Sequence, residues 1–268
     1  MAFTPQSHIT YYANRYIWAH TRRGRDPHMI AELSQAVILA GGLGTRLRPI
    51  VSDRPKALAI VAGEPFLRHQ LRWLRDNSVY SAILCVGYKG DQIIEELGDG
   101  SSFGMRLAYS QEHTPLGTGG ALVQAGPLLP SEFLVINGDT YTDLSLEPLW
   151  KAHWDHEALV TLAVTNTQDS TAVGGIELAG DGRIIAFREK QPGATLVSMG
   201  IYVASKELLN HIPTHRPCSL EKDVFPRIGH LYGHISQVPF IDIGTPSGYH
   251  AAQTYLAAKN RAEKSESH

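Results

Sequence analysis

The sequence predicts an α/β protein built on a doubly wound sheet, mixed but mostly parallel. Three observations lead there. From Gln35 onward, short apolar runs alternate with segments of helical period, as a parallel sheet with crossover helices requires. The first run, Ala36-Val37-Ile38-Leu39, passes straight into Ala40-Gly41-Gly42-Leu43-Gly44, as a buried parallel strand ending in a tight turn does. Beyond residue 158 the spacing changes to β-branched alternation around Gly180-Asp181-Gly182, a hairpin signal that adds antiparallel strands.

In chain order, residues 36–39 form the first strand. Residues 65–76 place Phe66, Leu67, Leu71 and Leu74 at helical spacing, with Pro65 suited to the first turn. A strand at 81–86 and a helix at 91–97 follow, then a short strand at 106–109 and a short helix at 119–126. The buried strand 132–136 ends at Asn137-Gly138-Asp139. Residues 158–165 are strand-like, 174–178 and 184–188 pair as the hairpin, and 197–203 is a further strand. Helices are expected at 206–211, 220–228 and 249–261, the last rich in alanine. No internal repeat is visible. Tyr11-Tyr12, Tyr16, Trp18 and Arg22-Arg23-Gly24-Arg25 show no period, so residues 1–30 read as a poorly ordered extension or an arm that packs on a partner subunit. Residues 31–268 read as one domain; Met29 is an alternative start.

Composition narrows the function classes. The chain has 268 residues, 19% of them charged, and a formal net charge of −2, so no field draws it to nucleic acid or an anionic membrane. No apolar run approaches the roughly 20 residues that span a bilayer. Arg22-Arg23 is followed by Gly24-Arg25-Asp26-Pro27 instead of an apolar core, which removes a twin-arginine export signal. Cys85, in an apolar strand, and Cys218, beside Pro217, make neither a metal pattern nor a disulfide framework, and Cys85 reads as an inert core residue. A soluble, cytoplasmic monomer or homodimer is the expectation.

The glycine-rich run carries the strongest chemical signal. Glycines let backbone N–H groups close on an anion, and Arg46, Arg48 and Lys56 add three cations. The segment reads as a triphosphate grip. A dinucleotide fingerprint fails, because counting from Gly42 puts Leu47 where its third glycine belongs; a Walker loop fails, because Arg46 follows Thr45. A bare Gly-Gly-x-Gly could be an ordinary turn, but Thr45-Arg46-Leu47-Arg48-Pro49 and Pro55-Lys56 go well beyond one.

Gly41-Gly42-Leu43-Gly44-Thr45-Arg46-Leu47-Arg48-Pro49 with Arg54-Pro55-Lys56 resembles the signature of sugar-1-phosphate nucleotidyltransferases, and the similarity runs from about Gln35 to Tyr255. The resemblance implies a Rossmann-like, GT-A-like single domain, with a nucleotide-binding half to about Asp143 and a sugar-binding half after it. It implies condensation of a nucleoside triphosphate with a sugar 1-phosphate, releasing pyrophosphate. A sugar phosphate is largely dianionic at neutral pH, so no general base is needed. Cations and a divalent metal, Mg²⁺ or Mn²⁺, are needed instead.

Residue roles follow from the matching motifs. Arg46 is assigned to the leaving pyrophosphate and Lys56 to the α-phosphate. Asp139, in Asn137-Gly138-Asp139, and Asp242, in Asp242-Ile243-Gly244-Thr245-Pro246, resemble the family's two metal ligands; alone, each would be a common turn aspartate. Leu39, Gly41, Gly42, Gly44, Thr45, Gly117, Thr118 and Gly138 are expected around the nucleotide, with Leu116-Gly117-Thr118-Gly119-Gly120 as the nucleobase loop and Asn137 ordering the metal loop. Gly175, Glu189, Lys190 and Ser198 are expected at the sugar phosphate. Ser198 departs from the asparagine common there, which puts a direct amide contact in doubt.

Ser52-Asp53-Arg54-Pro55-Lys56, Val86-Gly87-Tyr88-Lys89, Gly98-Asp99-Gly100-Ser101 and Ser219-Leu220-Glu221-Lys222-Asp223 resemble D-glycero-D-manno-heptose 1-phosphate guanylyltransferases, so GTP and that heptose are the expected substrates. Mannose-1-phosphate guanylyltransferases share about half of these motifs, and uridylyl or thymidylyl relatives stand further off. A non-catalytic sensor of nucleotide sugars is the alternative of another class, weakened by the full charged set. His153 and His156, one turn apart, read as a solvated helix face or a metal pair; Trp73, Trp150 and Trp154 read as packing residues.

Overall fold

The computed structural model describes residues 35–166, 175–188, 196–214 and 217–266. Its first part runs β1 (Gln35–Ala40), β2 (Ile60–Val61), β3 (Glu64–Pro65), α1 (Phe66–Asp76), β4 (Ser81–Val86), α2 (Gly90–Leu97), β5 (Arg106–Gln111), α3 (Gly117–Ala125), β6 (Glu132–Asn137) and β7 (Thr140–Thr142). The second part runs α4 (Leu146–Asp155), β8 (Val160–Asn166), β9 (Gly175–Leu178), β10 (Ile184–Arg188), β11 (Leu196–Ser205), β12 (Leu231–Ile235), β13 (Phe240–Asp242) and α5 (Pro246–Glu266).

The main sheet has the order β10-β9-β11-β6-β1-β4-β5, with β8 pairing β11 and β12. β6, β1, β4 and β5 are parallel, as the alternation with helices demands, and β11 joins antiparallel to β6. Side chains alternate across the sheet. Ala36 and Ile38 of β1 enter a core with α1 and α5, while Val37 enters a second core with α3 on the opposite face. Strand β11 changes neighbours along its length. Leu196 and Val197 pair with β9, residues from Ile201 onward pair with β6, and the register against β8 shifts between Ser198 and Tyr202. Gly200 sits in that break at φ +69°, where a side chain would be strained.

Several local expectations need correcting. Residues 220–228 are not one α-helix: Leu220–Val224 is a π turn and Phe225–Arg227 a 3₁₀ turn, because Pro226 cannot donate. His153 is not on a solvated face. It is 2% exposed, its Nδ1 lies 3.1 Å from Thr161 Oγ1, and burial pushes its pKa down to about 4. His156 stacks on Tyr232 with ring centroids 4.1 Å apart, so the two imidazoles make no metal pair. The tryptophans pack as expected, with Trp73 Nε1 donating to Leu144 O at 3.0 Å and Trp150 stacked on Trp154. Cys85 is buried and its thiol is pushed up to about 12, an inert state. Among the described residues, no helix is long and apolar enough to cross a membrane.

Candidate functional site

The loops that follow β6, β1, β4 and β5 leave the sheet along one edge, where open α/β sheets hold ligands. After β1 the chain turns at Gly44 (φ +60°), whose carbonyl accepts the N–H groups of Leu47 and Arg48. A Cβ on Gly44 would lie 3.0 Å from Lys56 Cβ, so this glycine lets Lys56 close on the loop. Lys56 opens a 3₁₀ turn whose Ala57 and Leu58 are buried, and their burial anchors it. Gly42 has open space around it, and Thr45 is exposed.

Asp139 is placed by the tight turn after β6. Gly138 N–H donates to Leu39 O at 3.0 Å, and a Cβ there would lie 2.8 Å from the same oxygen. Gln70 of α1 is fully buried and donates to both Asn137 O, at 2.9 Å, and Thr140 O, at 2.5 Å, bracketing the Asp139 turn. Strand β7 pairs antiparallel with β13, setting Asp242 opposite Thr140, and Ile243 N–H donates to Asp139 O at 2.9 Å. The two aspartates are thereby brought together from distant parts of the chain.

Gly244 marks their meeting point. A Cβ built on it would stand 2.7 Å from Asp242 Oδ1 and 3.1 Å from both Asp139 Oδ2 and an Arg46 guanidinium nitrogen. Lys56 Nζ forms an ion pair with Asp139 Oδ2. Asp242 Oδ1 accepts Gly244 N–H at 2.6 Å. Burial, then the neighbouring charge of Asp139, raise the pKa of Asp242 above its ordinary value; Gly244 N–H, Lys56 and Arg46 oppose that rise. Two crowded carboxylates between two cations form a site whose repulsion a divalent cation would relax.

The loop before α3 is sewn to residues 217–220. Cys218 N–H donates to Leu116 O and Gly119 N–H to Cys218 O, both at 2.8 Å. Gly117 (φ +73°) is required there, since a Cβ would lie 2.4 Å from Cys218 O. Thr118 Oγ1 donates to Glu221 Oε2 at 3.3 Å. Gly175 opens β9 opposite Arg188 and Val197, and Ser198 Oγ accepts Gly200 N–H at 3.1 Å. Glu189 and Lys190 lie outside the described residues.

Sequence reading missed Glu112. It follows β5, and its Oε2 accepts Leu116 N–H at 3.1 Å. Its Oε1 lies 2.6 Å from where a Cβ would stand on Gly41 and on Gly87. Only backbone without side chains admits the carboxylate between β1 and β4. Burial raises its pKa, the Leu116 N–H opposes the rise, and no ion pair to it forms among the described residues. The signal was a lone carboxylate just past a strand end and four residues before the loop.

This fold, with its glycine-rich loop and paired carboxylates at one sheet edge, defines an α/β protein on a mixed, mostly parallel sheet. The family model for nucleotidyl transferases matches residues 35–259, and the chain belongs to that family. It is 35% identical over 227 residues to D-glycero-alpha-D-manno-heptose 1-phosphate guanylyltransferase of Aneurinibacillus thermoaerophilus, covering 83% of this chain and 98% of that protein. It is also 35% identical over 222 residues to mannose-1-phosphate guanylyltransferase of Mycobacterium tuberculosis, covering 80% of this chain but only 62% of that relative's length. The solved structure of HddC from Yersinia pseudotuberculosis superposes with a TM-score of 0.76 at 32% identity, covering 84% of this chain and 100% of that one. A second structure of HddC, complexed with GMP-PN, gives a TM-score of 0.75.

Proposed function

We propose that this chain transfers a guanylyl group from GTP to a manno-configured sugar 1-phosphate, D-glycero-D-manno-heptose 1-phosphate first, and releases pyrophosphate. The observation that carries the choice of base is Glu112. A half-buried carboxylate without an ion-pair partner among the described residues needs donors, and guanine offers two side by side, N1–H and the N2 amino group. Uracil and thymine present one donor between acceptors, which a carboxylate repels. Charge-assisted bonds of this kind are the stronger class. The heptose assignment is supported by the relative from Aneurinibacillus thermoaerophilus and by the shared motifs around Lys56 and Glu221. The equal identity to the mannose-1-phosphate enzyme favours mannose as the second reading.

In this reading the glycine loop holds the triphosphate, Arg46 stabilises the departing pyrophosphate and Lys56 faces the α-phosphate. The sugar phosphate attacks as a dianion, with Lys190 and Glu189 assigned to its phosphate and hydroxyls, and Gly175 and Ser198 beside them. Asp139 and Asp242 fit Mg²⁺, since both bring a hard carboxylate oxygen to the Gly244 turn and Mg²⁺ takes few protein carboxylates. When bound, the ion would supply charge neutralisation between the two polyanions.

Pyrophosphate release measured with four NTPs, ITP and a panel of sugar 1-phosphates tests the proposal. GTP should be preferred, with ITP, which lacks the N2 amino group, about tenfold or more weaker. Glu112→Gln should erase that difference. A preference for UTP or dTTP would sink the guanylyl assignment.

A further inference from the structure

Tyr202 of β11 is 1% exposed, with its ring edge-on to Phe225. Its hydroxyl donates to Glu221 Oε1 at 2.5 Å, and the polar side chains of Ser198 and Asn137 lie beside the same phenolic oxygen. Burial, with the charge of Glu221, holds the phenol protonated, so the direction of its bond is set. Glu221 Oε2 accepts from Ser219 Oγ at 3.0 Å and from Thr118 Oγ1 at 3.3 Å, and Thr118 Oγ1 accepts Leu220 N–H at 2.8 Å. Glu221 projects from the π turn Leu220–Val224, a rare geometry that recurs at functional sites. One carboxylate therefore ties together the start of α3, strand β11 and the residue that precedes Gly138-Asp139.

We propose that Glu221 is a positioning residue through which nucleotide in the base loop strengthens binding of the sugar 1-phosphate. The inference rests on the guanylyltransferase reading, which puts Thr118 at the base and Ser198 and Asn137 beside the sugar phosphate and Asp139. A base that orders Thr118 also holds Glu221 and Tyr202. The ordering of Ser198 and Asn137 is then already in place when the second substrate arrives.

The test is calorimetric binding of the sugar 1-phosphate to the full chain, with and without a non-hydrolysable GTP analogue. The wild type should bind it about fivefold or more tighter with the analogue present, the lower end of common coupling strengths. Glu221→Gln and Tyr202→Phe should bring that ratio to about one and raise KM for the sugar phosphate, while the affinity of the GTP analogue for the chain alone changes less than about twofold. Tyr202→Phe removes a single oxygen and carries the test should Glu221→Gln fail to fold. A wild type without coupling, variants that keep the wild-type ratio, or a loss confined to melting temperature would overturn the inference. Absence of any wild-type turnover of GTP with sugar 1-phosphates would overturn the guanylyltransferase reading instead.

Discussion

Lys56 Nζ donates to Asp139 Oδ2, joining the end of the glycine-rich run to the turn after β6. The two side chains are only 19% and 18% exposed, so water screens the pair weakly. Removing the ammonium would leave Asp139 and Asp242 facing each other with Arg46 alone between them. Lys56→Gln is expected to lower turnover about 10²- to 10³-fold, the loss typical of one electrostatic group aimed at developing charge. The fold should persist, because Ala57 and Leu58 still anchor the turn. Pyrophosphate release and circular dichroism check both halves; near-normal turnover would remove Lys56 from the chemistry.

Gln70 holds the same turn from below. Its amide reaches Asn137 O and Thr140 O, one on either side of Asp139. Gln70→Leu keeps the volume but strips both carbonyls of their donor, at about 1–3 kcal/mol for each buried group left unpaired. The melting temperature should fall by several degrees. Turnover should fall with it, measured well below the new midpoint, because the Asp139 turn loses its brace. A variant that melts lower yet keeps full kcat would show that Gln70 stabilises the fold without positioning Asp139.

Local signals explain what could be read in advance. The glycine run after β1, the Asn137-Gly138-Asp139 turn and the Asp242-Ile243-Gly244 segment are contiguous motifs, so the resemblance to a family could be read from them, and that resemblance singled out the two aspartates. Glu112, Tyr202 and Glu221 matter through pairings that only the folded chain creates, such as Tyr202 with Glu221 across the second core. Gln70 did leave a trace: it stands four residues from both Phe66 and Leu74, on the apolar face of α1. His153 left the same trace, four residues after Leu149 and three after Trp150, and for that reason it is buried where a solvated face was expected. The break after Val224 was legible in Pro226, which no helix interior tolerates well.

Asp143 fastens α5 to β7. It accepts from Lys259 Nζ, from Tyr255 Oη and, at 3.4 Å, from Tyr141 Oη. Burial would raise its pKa, but the bonds from Lys259 and Tyr255 outweigh it and hold the carboxyl below its ordinary value of 3.8. A depressed carboxylate stabilises the fold above that ordinary value and loses the contribution as pH falls through its folded value. Lys259 is raised, so its share persists through neutral pH. Asp143→Asn should cost about 1–2 kcal/mol at pH 7, allowing for partial exposure of the pair, with turnover unchanged. In urea denaturation the gap to wild type should close below pH 4 or so; an equal gap at pH 3 and pH 7 would show that the charge is irrelevant.

His153 gives the chain its own acid weakness. Burial lowers its folded pKa from 6.5 to about 4, with Glu132 opposing the shift. Between those values the unfolded chain binds a proton that the folded chain refuses, so stability rises with pH across the window. At about 1.4 kcal/mol per unit, this residue alone removes about 3 kcal/mol as pH drops from 6.5 to 4. His153→Phe abolishes the titration but leaves the fully buried Thr161 hydroxyl without its imidazole partner. The variant should therefore be less stable than wild type at pH 7 by about 1–3 kcal/mol, yet flatter below pH 6.5, so the two stability curves converge on the acid side. Urea denaturation at half-unit steps between pH 4 and pH 7 reads both slopes. Parallel curves would mean that the buried imidazole takes up its proton in the folded state, and the account of His153 as a neutral core residue would fail.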